Sequence, residues 1–366
     1  MFRIGFDGRV LTSPAAGVRR YASELFGALA AIDPALAIVA VGAAADAPLP
    51  VGVERAPGSA TLPTNLGWML TGLPRAARRA KLNLFHAPSY TAPIGGPRPL
   101  VLTIHDVSYE RHSEWYPYRQ DPLRRAFYRR SAKSADRIVT DSEFSRTEIA
   151  AAYDLDVRSI DVVPLAAGRE FTTGPALPLP AGLPQRYVLH VGDVHARRNL
   201  PMIARCVLML RALDPTHREL SLVLTGADYG GGEELRAMNC TACPVPPIVF
   251  LGLVPSDTLV ALYRSAAALV YPSRYEGFGL PLLEAMACGT PVIAARTSSI
   301  PEVTGEAAVL LDPDDEPGWR ETIRRVLEDG AFRDGLRTAG LSRAARFSWT
   351  RTATETARIY RGLLGE

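Results

Sequence analysis

Short apolar runs alternate with amphipathic segments along most of this 366-residue chain. The apolar runs have the length of buried strands, and the segments between them repeat apolar residues every three or four positions, as over residues 18–32. Strands that alternate with helices in this way predict parallel sheets. The predicted strands are residues 2–6, 37–42, 84–88, 100–106, 137–142, 161–165, 187–193, 220–226, 247–254, 267–273, 290–295 and 307–313.

The alternation is interrupted by residues 168–185, which are rich in Pro and Gly and have neither a helical nor a strand period. We interpret this segment as a linker. The sequence therefore predicts an α/β fold with two doubly wound, Rossmann-like domains, residues 1–167 and 186–348, and a ligand site in a cleft between them. Residues 349–366 form a predicted helix that could pack on either domain, the N-terminal one included.

Composition places the chain among ordinary globular proteins, since 47% of the residues are hydrophobic and 22% are charged. The net charge is only +3, which is weaker than the clustered excess of a nucleic-acid-binding protein. Four cysteines are too few for a disulfide framework in a chain of this length. Cys240 and Cys243 have the spacing of a metal or redox pair, but no second pair follows and prolines crowd them.

The first ten residues resemble a strand and lack the basic and apolar regions of a signal peptide. No stretch reaches the 18 apolar residues or so that a membrane span requires. We therefore expect a cytoplasmic protein. The basic segments 73–82 and 115–137 are either solvated helix faces or a peripheral contact with the inner face of an acidic membrane.

Residues 273–294 carry the clearest chemistry. Gly277 and Gly279 flank Phe278, and residues without a side chain let a backbone approach a ligand closely. A helix is predicted just beyond Leu280, and the free N–H groups at a helix start attract phosphate. The segment therefore predicts an anion site, with a plain Gly-rich connection as the alternative.

The helix that follows is predicted over residues 281–288, because Pro281 suits a first turn and Gly289 suits a C-terminal stop. Glu276 lies just before the glycine loop and Glu284 lies within the helix. Each carboxylate can accept two hydroxyl hydrogen bonds, which suits a sugar diol on either side of a diphosphate.

A second anion site is predicted where the strand before Gly192 ends. The loop that follows carries Arg197 and Arg198 directly before a predicted helix. Two guanidinium groups at such a turn suit a diphosphate, because each can bind two phosphate oxygens. A solvated basic turn is the alternative.

These motifs resemble a known family. EGFGLPLLE, residues 276–284, is similar to the signature of the retaining glycosyltransferases of family four, two glutamates separated by seven residues. GDVHARRN, residues 192–199, resembles that family's Gly-x-x-x-x-Arg-Lys-Asn loop, with Arg198 where Lys is usual. The likeness is most specific over residues 254–313, covers nearly the whole chain, and points to the bacterial mannosyltransferase-like group. It implies the GT-B fold.

The resemblance also assigns roles. It implies that Glu276 holds the hydroxyls of the donor sugar and that Glu284 holds the ribose. It places His105, at the end of the predicted strand 100–106, beside the reacting carbon. Gly17, before the predicted helix, resembles the loop that approaches the donor diphosphate. The expected catalytic residues are His105 and Glu276, and the expected donor-binding residues are Gly17, Val18, Arg197, Arg198, Phe278, Gly279, Leu280 and Glu284.

The expected reaction moves a sugar from a nucleotide-sugar donor, with GDP-mannose favoured, to a hydroxyl of a glycan or lipid-linked glycan in polysaccharide assembly. The resemblance implies retention of the anomeric configuration, no cofactor and no metal, and no nucleic-acid partner is expected. Two alternatives remain open: a sugar-nucleotide epimerase of the same architecture, and a catalytically inactive sugar-nucleotide-binding partner subunit.

Overall fold

The computed structural model describes residues 1–57, 67–93, 95–116, 121–175, 177–239 and 243–365. The chain divides into two compact units. The first unit comprises Met1–Ala166 together with Ser348–Glu366, and the second comprises Ala167–Phe347. Cys240 lies outside the described residues, as does part of the basic segment 115–137.

Over the described residues, the first unit is built on a seven-stranded sheet in which all pairs are parallel, in the order β3-β2-β1-β4-β5-β6-β7. Continuous apolar runs form most of these strands, and β2 is buried along its whole length, as expected for a sheet covered on both faces. The strands are Phe2–Asp7 (β1), Leu36–Val41 (β2), Glu54–Arg55 (β3), Leu84–Ala87 (β4), Leu100–Thr103 (β5), Arg137–Thr140 (β6) and Ile160–Val162 (β7).

Helices connect these strands and bury their apolar stripes against the sheet. In the first of them Tyr21, Leu25 and Leu29 are fully buried, as the helical period predicts. The α-helices are Ala16–Ile32 (α1), Leu73–Arg79 (α2), Ser108–Arg111 (α3), Pro122–Ser134 (α4) and Glu143–Tyr153 (α5), with a π-helix at Trp68–Gly72 and 3₁₀ turns at Gly8–Thr12, Ser113–Trp115 and Val157–Ser159.

The second unit repeats this plan. Its described residues form a six-stranded parallel sheet in the order β10-β9-β8-β11-β12-β13. The strands are Arg186–Val191 (β8), Leu220–Thr225 (β9), Ile248–Gly252 (β10), Ala268–Tyr271 (β11), Val292–Ala295 (β12) and Val309–Leu311 (β13). The α-helices are Leu200–Leu213 (α6), Gly232–Ala237 (α7), Ser256–Ser265 (α8), Leu280–Cys288 (α9), Ile300–Thr304 (α10), Glu316–Glu328 (α11) and Gly330–Ala344 (α12), with 3₁₀ turns at Ala196–Arg198 and Pro215–His217.

Part of the segment expected to be a linker packs within the second unit. Arg264 of α8 donates hydrogen bonds to the carbonyl oxygens of Thr172 and Pro175, and the ring of Phe171 lies edge-on against Tyr263. These contacts tie the start of the segment to one side of the second sheet. Lack of periodicity marks irregular backbone, which can still be anchored by its side chains.

The C-terminal helix, Trp349–Leu364 (α13), belongs to the first unit and packs against α1. Tyr360 hydrogen-bonds Nδ1 of the fully buried His86, and Nε2 of His86 lies 2.7 Å from Thr103 Oγ1. Arg361 pairs with Asp33 just beyond α1. These bonds join the last helix to the middle of the first sheet. No helix in the described part of the chain combines the length and apolar character needed to cross a bilayer.

Candidate active site

Each sheet has one point where the strand order reverses, between β1 and β4 in the first unit and between β8 and β11 in the second. In open parallel sheets the loops at the carboxyl ends of these strands diverge and leave a crevice for a ligand. The Arg197 and Arg198 loop follows β8, and the glycine loop around Phe278 follows β11. Both predicted anion sites therefore flank one switch point.

These two loops of the second unit join through a buried charge cluster. Arg198 Nη1 contacts Glu276 Oε1 directly, and Arg197 Nη1 lies 3.2 Å from the same oxygen. Arg198 and Glu276 are 7% and 5% exposed, so this ion pair is shielded from water. The three side chains carry one positive charge in excess, which favours an incoming anion.

Further hydrogen bonds fix the two guanidinium groups. Arg198 Nη1 donates to the Tyr271 hydroxyl at 2.6 Å and to Ser273 Oγ at 3.1 Å, both at the end of β11. Arg197 Nη1 donates to the carbonyl oxygen of Tyr275 at 2.6 Å. Arg198 Nε is buried and has no hydrogen-bond partner among the described residues. A guanidinium has five N–H donors, and the Nε–H of Arg198 suits a phosphate oxygen.

The local backbone explains how Arg198 reaches this place. Gly192, directly after β8, has φ of +137°, which an L side chain rarely adopts. A Cβ on Gly192 would lie 3.2 Å from Arg198 Nη2, so a side chain there would crowd the guanidinium. Asn199, also at positive φ, starts α6 and donates from Nδ2 to the Pro313 carbonyl at 2.7 Å.

The cluster also sets the charge of Glu276. Burial alone would raise the pKa of this carboxyl group, but the charges of Arg197 and Arg198 lower it below the ordinary value. Glu276 is therefore an anion at neutral pH. Its backbone is held as well, because its N–H donates to Ser298 Oγ at 2.9 Å and its carbonyl accepts from Ser299 Oγ at 2.9 Å.

The glycine loop leads into α9. Gly279 is the N-cap at φ of +98°, and no side chain caps the helix there. The helix begins at Leu280, one residue earlier than predicted, and ends at Gly289 at φ of +77°. Phe278 is buried and lies edge-on against Phe347. The first N–H groups of α9 thus lie at the same switch point as the arginines.

Glu284 lies inside α9 and is 3% exposed. Its Oε2 accepts a hydrogen bond of 2.8 Å from the Tyr263 hydroxyl on α8. Glu284 is therefore not solvated, and its contact with Tyr263 is separate from the contacts described for Glu276. The structure does not test its expected role at a ribose.

In the first unit, His105 lies two residues beyond the end of β5, because the strand ends at Thr103 and not at residue 106 as predicted. Its Nδ1 is 2.7 Å from Oδ2 of Asp141, which directly follows β6. Burial alone would lower the pKa of His105, but the charge and hydrogen bond of Asp141 raise it above the ordinary value.

Gly17 corrects one expectation. It does not precede α1 but is the second residue of that helix, which starts at Ala16 and has no side-chain cap. Gly17 is exposed, Val18 is half-buried, and a Cβ on Gly17 would meet no atom within 4 Å. Packing does not require glycine there. Asp7 caps the preceding 3₁₀ turn and pairs with Arg9, so it shapes this connection.

The sequence motifs do not identify Asp141, which precedes Ser142, the N-cap of α5. A usable signal is present in the sequence: Asp141 lies at the end of the predicted strand 137–142, as His105 lies at the end of the predicted strand 100–106. His86, the other strand-end histidine, is held on both nitrogens by Tyr360 and Thr103, and burial lowers its pKa to about 3. These bonds give it a structural role.

Asp214, His217 and Glu328 form a separate group whose ligand atoms lie within 4.8 Å of one another. Glu328 Oε1 is 3.0 Å from His217 Nε2, and its other oxygen pairs with Arg324. Since the carboxylate already has an imidazole and a guanidinium partner, we treat this group as an ion-pair network. Cys206 and Cys288 are buried, and burial raises the pKa of each thiol to about 12.

Comparison with known proteins identifies the family of this fold and site. Residues 15–167 match the family described as Glycosyltransferase Family 4, and residues 185–329 match the one described as Glycosyl transferases group 1. O-antigen chain mannosyltransferase B of Escherichia coli is 33% identical over 294 residues, 78% of this chain and 76% of that protein. D-inositol 3-phosphate glycosyltransferase of Salinispora arenicola is 30% identical over 282 residues, 72% of this chain and 63% of that protein.

Among solved structures, sucrose-phosphate synthase from Thermosynechococcus elongatus superposes with a TM-score of 0.72 at 21% identity, over 100% of both chains. At that identity the likeness shows the fold alone. The chain belongs to the family-4 glycosyltransferases, and it has the GT-B fold of two Rossmann-like units. The predicted family, fold and enzyme class are thereby confirmed.

Proposed function

We propose that this glycosyltransferase moves a mannosyl group from GDP-mannose to a hydroxyl of a glycan or lipid-linked glycan in polysaccharide assembly, with retention of configuration. The observation that carries a nucleotide-sugar donor is the Arg197, Arg198 and Glu276 cluster with one positive charge in excess. The mannosyl group is supported by the name of the Escherichia coli relative, which is one third identical over three quarters of each chain.

In the second unit, the guanidinium groups of Arg197 and Arg198 would bind the diphosphate, and the start of α9 at Gly279 and Leu280 would add backbone donors. Charge grows on this diphosphate as the glycosidic bond breaks, so fixed cations stabilise the transition state more than the ground state. No metal is needed for that step in this proposal. The buried ring of Phe278 would hold the glycine loop in the conformation that contacts the donor.

Glu276 would hold hydroxyls of the transferred sugar, since it is an anion beside the phosphate site. Glu284, a buried carboxylate within α9, would bind the hydroxyls of the ribose. We propose attack on the same face that the diphosphate leaves, with the departing phosphate taking the proton of the acceptor hydroxyl. His105 would contact the donor sugar, and the α1 start at Gly17 and Val18 would approach the diphosphate.

The acceptor side is proposed from charge. Helix α4 exposes Leu123 at 80% and carries Arg124, Arg129, Arg130 and Lys133 on a 13-residue helix, while α2 adds Arg75, Arg78 and Arg79. Basic residues beside an exposed apolar one suit the anionic surface of a membrane that holds a lipid-linked acceptor. We therefore propose peripheral membrane contact through these helices, on the cytoplasmic side.

The deciding experiment incubates the purified protein with radiolabelled nucleotide sugars and a lipid-linked glycan acceptor. We expect label in the acceptor from GDP-mannose and much less from UDP-sugars. NMR of the product should show the anomeric configuration of the donor. Transfer of a sugar to an inositol phosphate would instead support the activity that the Salinispora relative is named for.

The same assay tests the alternatives. A new sugar nucleotide formed without acceptor would indicate an epimerase. Donor binding, seen as a raised melting temperature, with neither transfer nor epimerisation would indicate an inactive binding subunit. Vesicles with and without anionic lipid, mixed with the protein and sedimented, test the membrane contact. Equal recovery with both kinds of vesicle would contradict it.

A further inference from the structure

His105 and Asp141 form a buried pair at the carboxyl edge of the first sheet. They follow the neighbouring parallel strands β5 and β6, in which Thr103 is the partner of Val139. The side chains are 14% and 3% exposed, and 2.7 Å separates Nδ1 from Oδ2. The two residues are 36 positions apart in the sequence, and they meet because their strands are neighbours in the sheet.

The surroundings of Asp141 leave His105 as its counter-ion. The other carboxylate oxygen, Oδ1, is buried and has no hydrogen-bond partner in the part of the chain that the structure describes. Among those residues the ion pair of Asp141 is with His105 and with no Arg or Lys. Burial raises the pKa of Asp141 above its ordinary value, while the charge and hydrogen bond of His105 act against that rise. The anionic carboxylate therefore depends on the imidazole holding its second proton.

The groups around His105 agree with a cation. Tyr21 of α1 lies edge-on to the imidazole at 4.7 Å between ring centroids, and Tyr90, just after β4, lies edge-on at 6.0 Å. Asp106 adds a second negative charge beside the ring. His86, in β4, is the remaining titratable neighbour, and burial and the charge of His105 both lower its pKa.

The second ring nitrogen, Nε2, is buried and has no hydrogen-bond partner among the described residues. An imidazolium carries an N–H at each nitrogen, and the backbone carbonyl of Pro88 beside the ring also favours this charged form. Nε2–H is thus a charged donor without a well-aligned acceptor among the described residues. A donor of this kind suits an oxygen atom of a substrate.

We propose that Asp141 is a positioning residue that keeps His105 as a fixed cationic hydrogen-bond donor, whose Nε2–H is directed at a hydroxyl oxygen of the transferred sugar. The identity of that sugar rests on the proposed function, whereas the pairing and charge of His105 do not. In this arrangement His105 orients the donor and does not act as a base.

The test replaces Asp141 with its uncharged isostere, Asp141→Asn, and uses the exposed Asp46→Asn as a matched control. The imidazole is titrated by NMR, with the His105→Gln variant assigning its signal. In the wild type we expect His105 to remain protonated above pH 6.5, because its folded-state pKa is raised. In Asp141→Asn only burial remains as the dominant effect, so the imidazole should lose its proton below that pH.

The second readout is the pH profile of kcat/KM. The kcat/KM of the wild type should be level through pH 6 to 8. That of Asp141→Asn should be about tenfold lower at pH 8, because the neutral imidazole is a weaker donor, and it should recover in part towards pH 5.5 as the ring gains its proton. Adding His105→Gln to the Asp141→Asn variant should cause no further loss of kcat/KM, because a positioning residue acts through its partner.

Three outcomes would overturn the inference: a neutral His105 in the wild type at pH 7, a rate loss in Asp141→Asn that is equal at every pH, or additive losses in the double variant. If Asp141→Asn does not fold, the wild-type titration alone decides. Failure of every donor with the wild type, while His105 titrates as expected, would contradict the proposed function and leave the charge state of His105 standing.

Discussion

The carboxyl edges of the two parallel sheets carry charge differently. In the second unit, two guanidinium groups share the single carboxylate of Glu276, which leaves a positive charge in excess. In the first unit, His105 and Asp141 form a balanced pair bordered by aromatic rings. The same doubly wound topology thus carries a cluster with excess positive charge in one unit and a charge-balanced pair in the other. The chemistry depends on which side chains end the strands.

The largest effect on this contrast is expected from removing the charge of Glu276, the one carboxylate in the cluster with Arg197 and Arg198. Glu276→Gln should lower kcat/KM at least ~100-fold, about 2.7 kcal/mol of transition-state binding, because the carboxylate no longer holds the sugar hydroxyls. Affinity for the nucleoside diphosphate should stay equal or increase, since the arginines lose their counter-ion.

Steady-state kinetics and calorimetry measure these two effects, and the exposed Glu219→Gln serves as the control. A folded Glu276→Gln protein with a near-normal rate would remove Glu276 from the mechanism. Weaker diphosphate binding would show that the excess charge is not what binds the anion.

Removing the positive charge of Arg198 should weaken binding of the nucleoside diphosphate, the opposite of the effect expected for Glu276→Gln. Arg198→Ala should weaken nucleoside diphosphate affinity on the order of 10- to 100-fold, because a charge-assisted hydrogen bond contributes roughly 1.5–3 kcal/mol. Arg198→Lys should lose less, since it keeps the charge but not the two-pronged geometry.

The free nucleoside, which has no phosphate, is the internal control, and Arg218→Ala is the exposed control variant. If nucleoside and diphosphate binding weaken equally, Arg198 shapes the second unit and does not bind phosphate.

In the first unit, Gly17→Ala separates stability from activity. The added Cβ meets no atom within 4 Å, and alanine is favoured over glycine in a helix by about 1 kcal/mol, so stability should be unchanged or slightly higher. If the α1 start approaches the donor diphosphate, kcat/KM should fall about tenfold, or about 1.4 kcal/mol. Gly362→Ala, in an equally open helical position of α13, is the matched control. Full activity of Gly17→Ala would remove this turn from the donor site.

The smallest effect is expected on chelating divalent cations. If the arginine cluster alone meets the phosphate charge, EDTA should change the rate by less than about twofold, since no Lewis acid takes part. The assay is repeated after dialysis, with Mg²⁺ and Mn²⁺ added back. If chelation abolishes activity and either ion restores it, the positive charge of the arginine cluster is not sufficient to stabilise the departing diphosphate.

Much of this molecule follows from local sequence. The apolar runs predicted every main strand and the amphipathic segments predicted the helices, because the 2.0 and 3.6 residue periods are properties of neighbouring residues. Gly279 and Gly289 marked the ends of α9 within one residue for the same reason. The two-residue strand Glu54–Arg55 was not predicted, because so short a strand has no period of its own.

The tertiary structure alone decided the partners of the site residues. Arg198 meets Glu276 across 78 positions, and His86 meets Tyr360 across 274. A pattern of alternating strands and helices does not state the order of strands in a sheet. β8 lies beside β11 only because β9 and β10 extend the sheet on the other side. That choice depends on long-range packing, and it turned two arginines and a glutamate into one buried cluster.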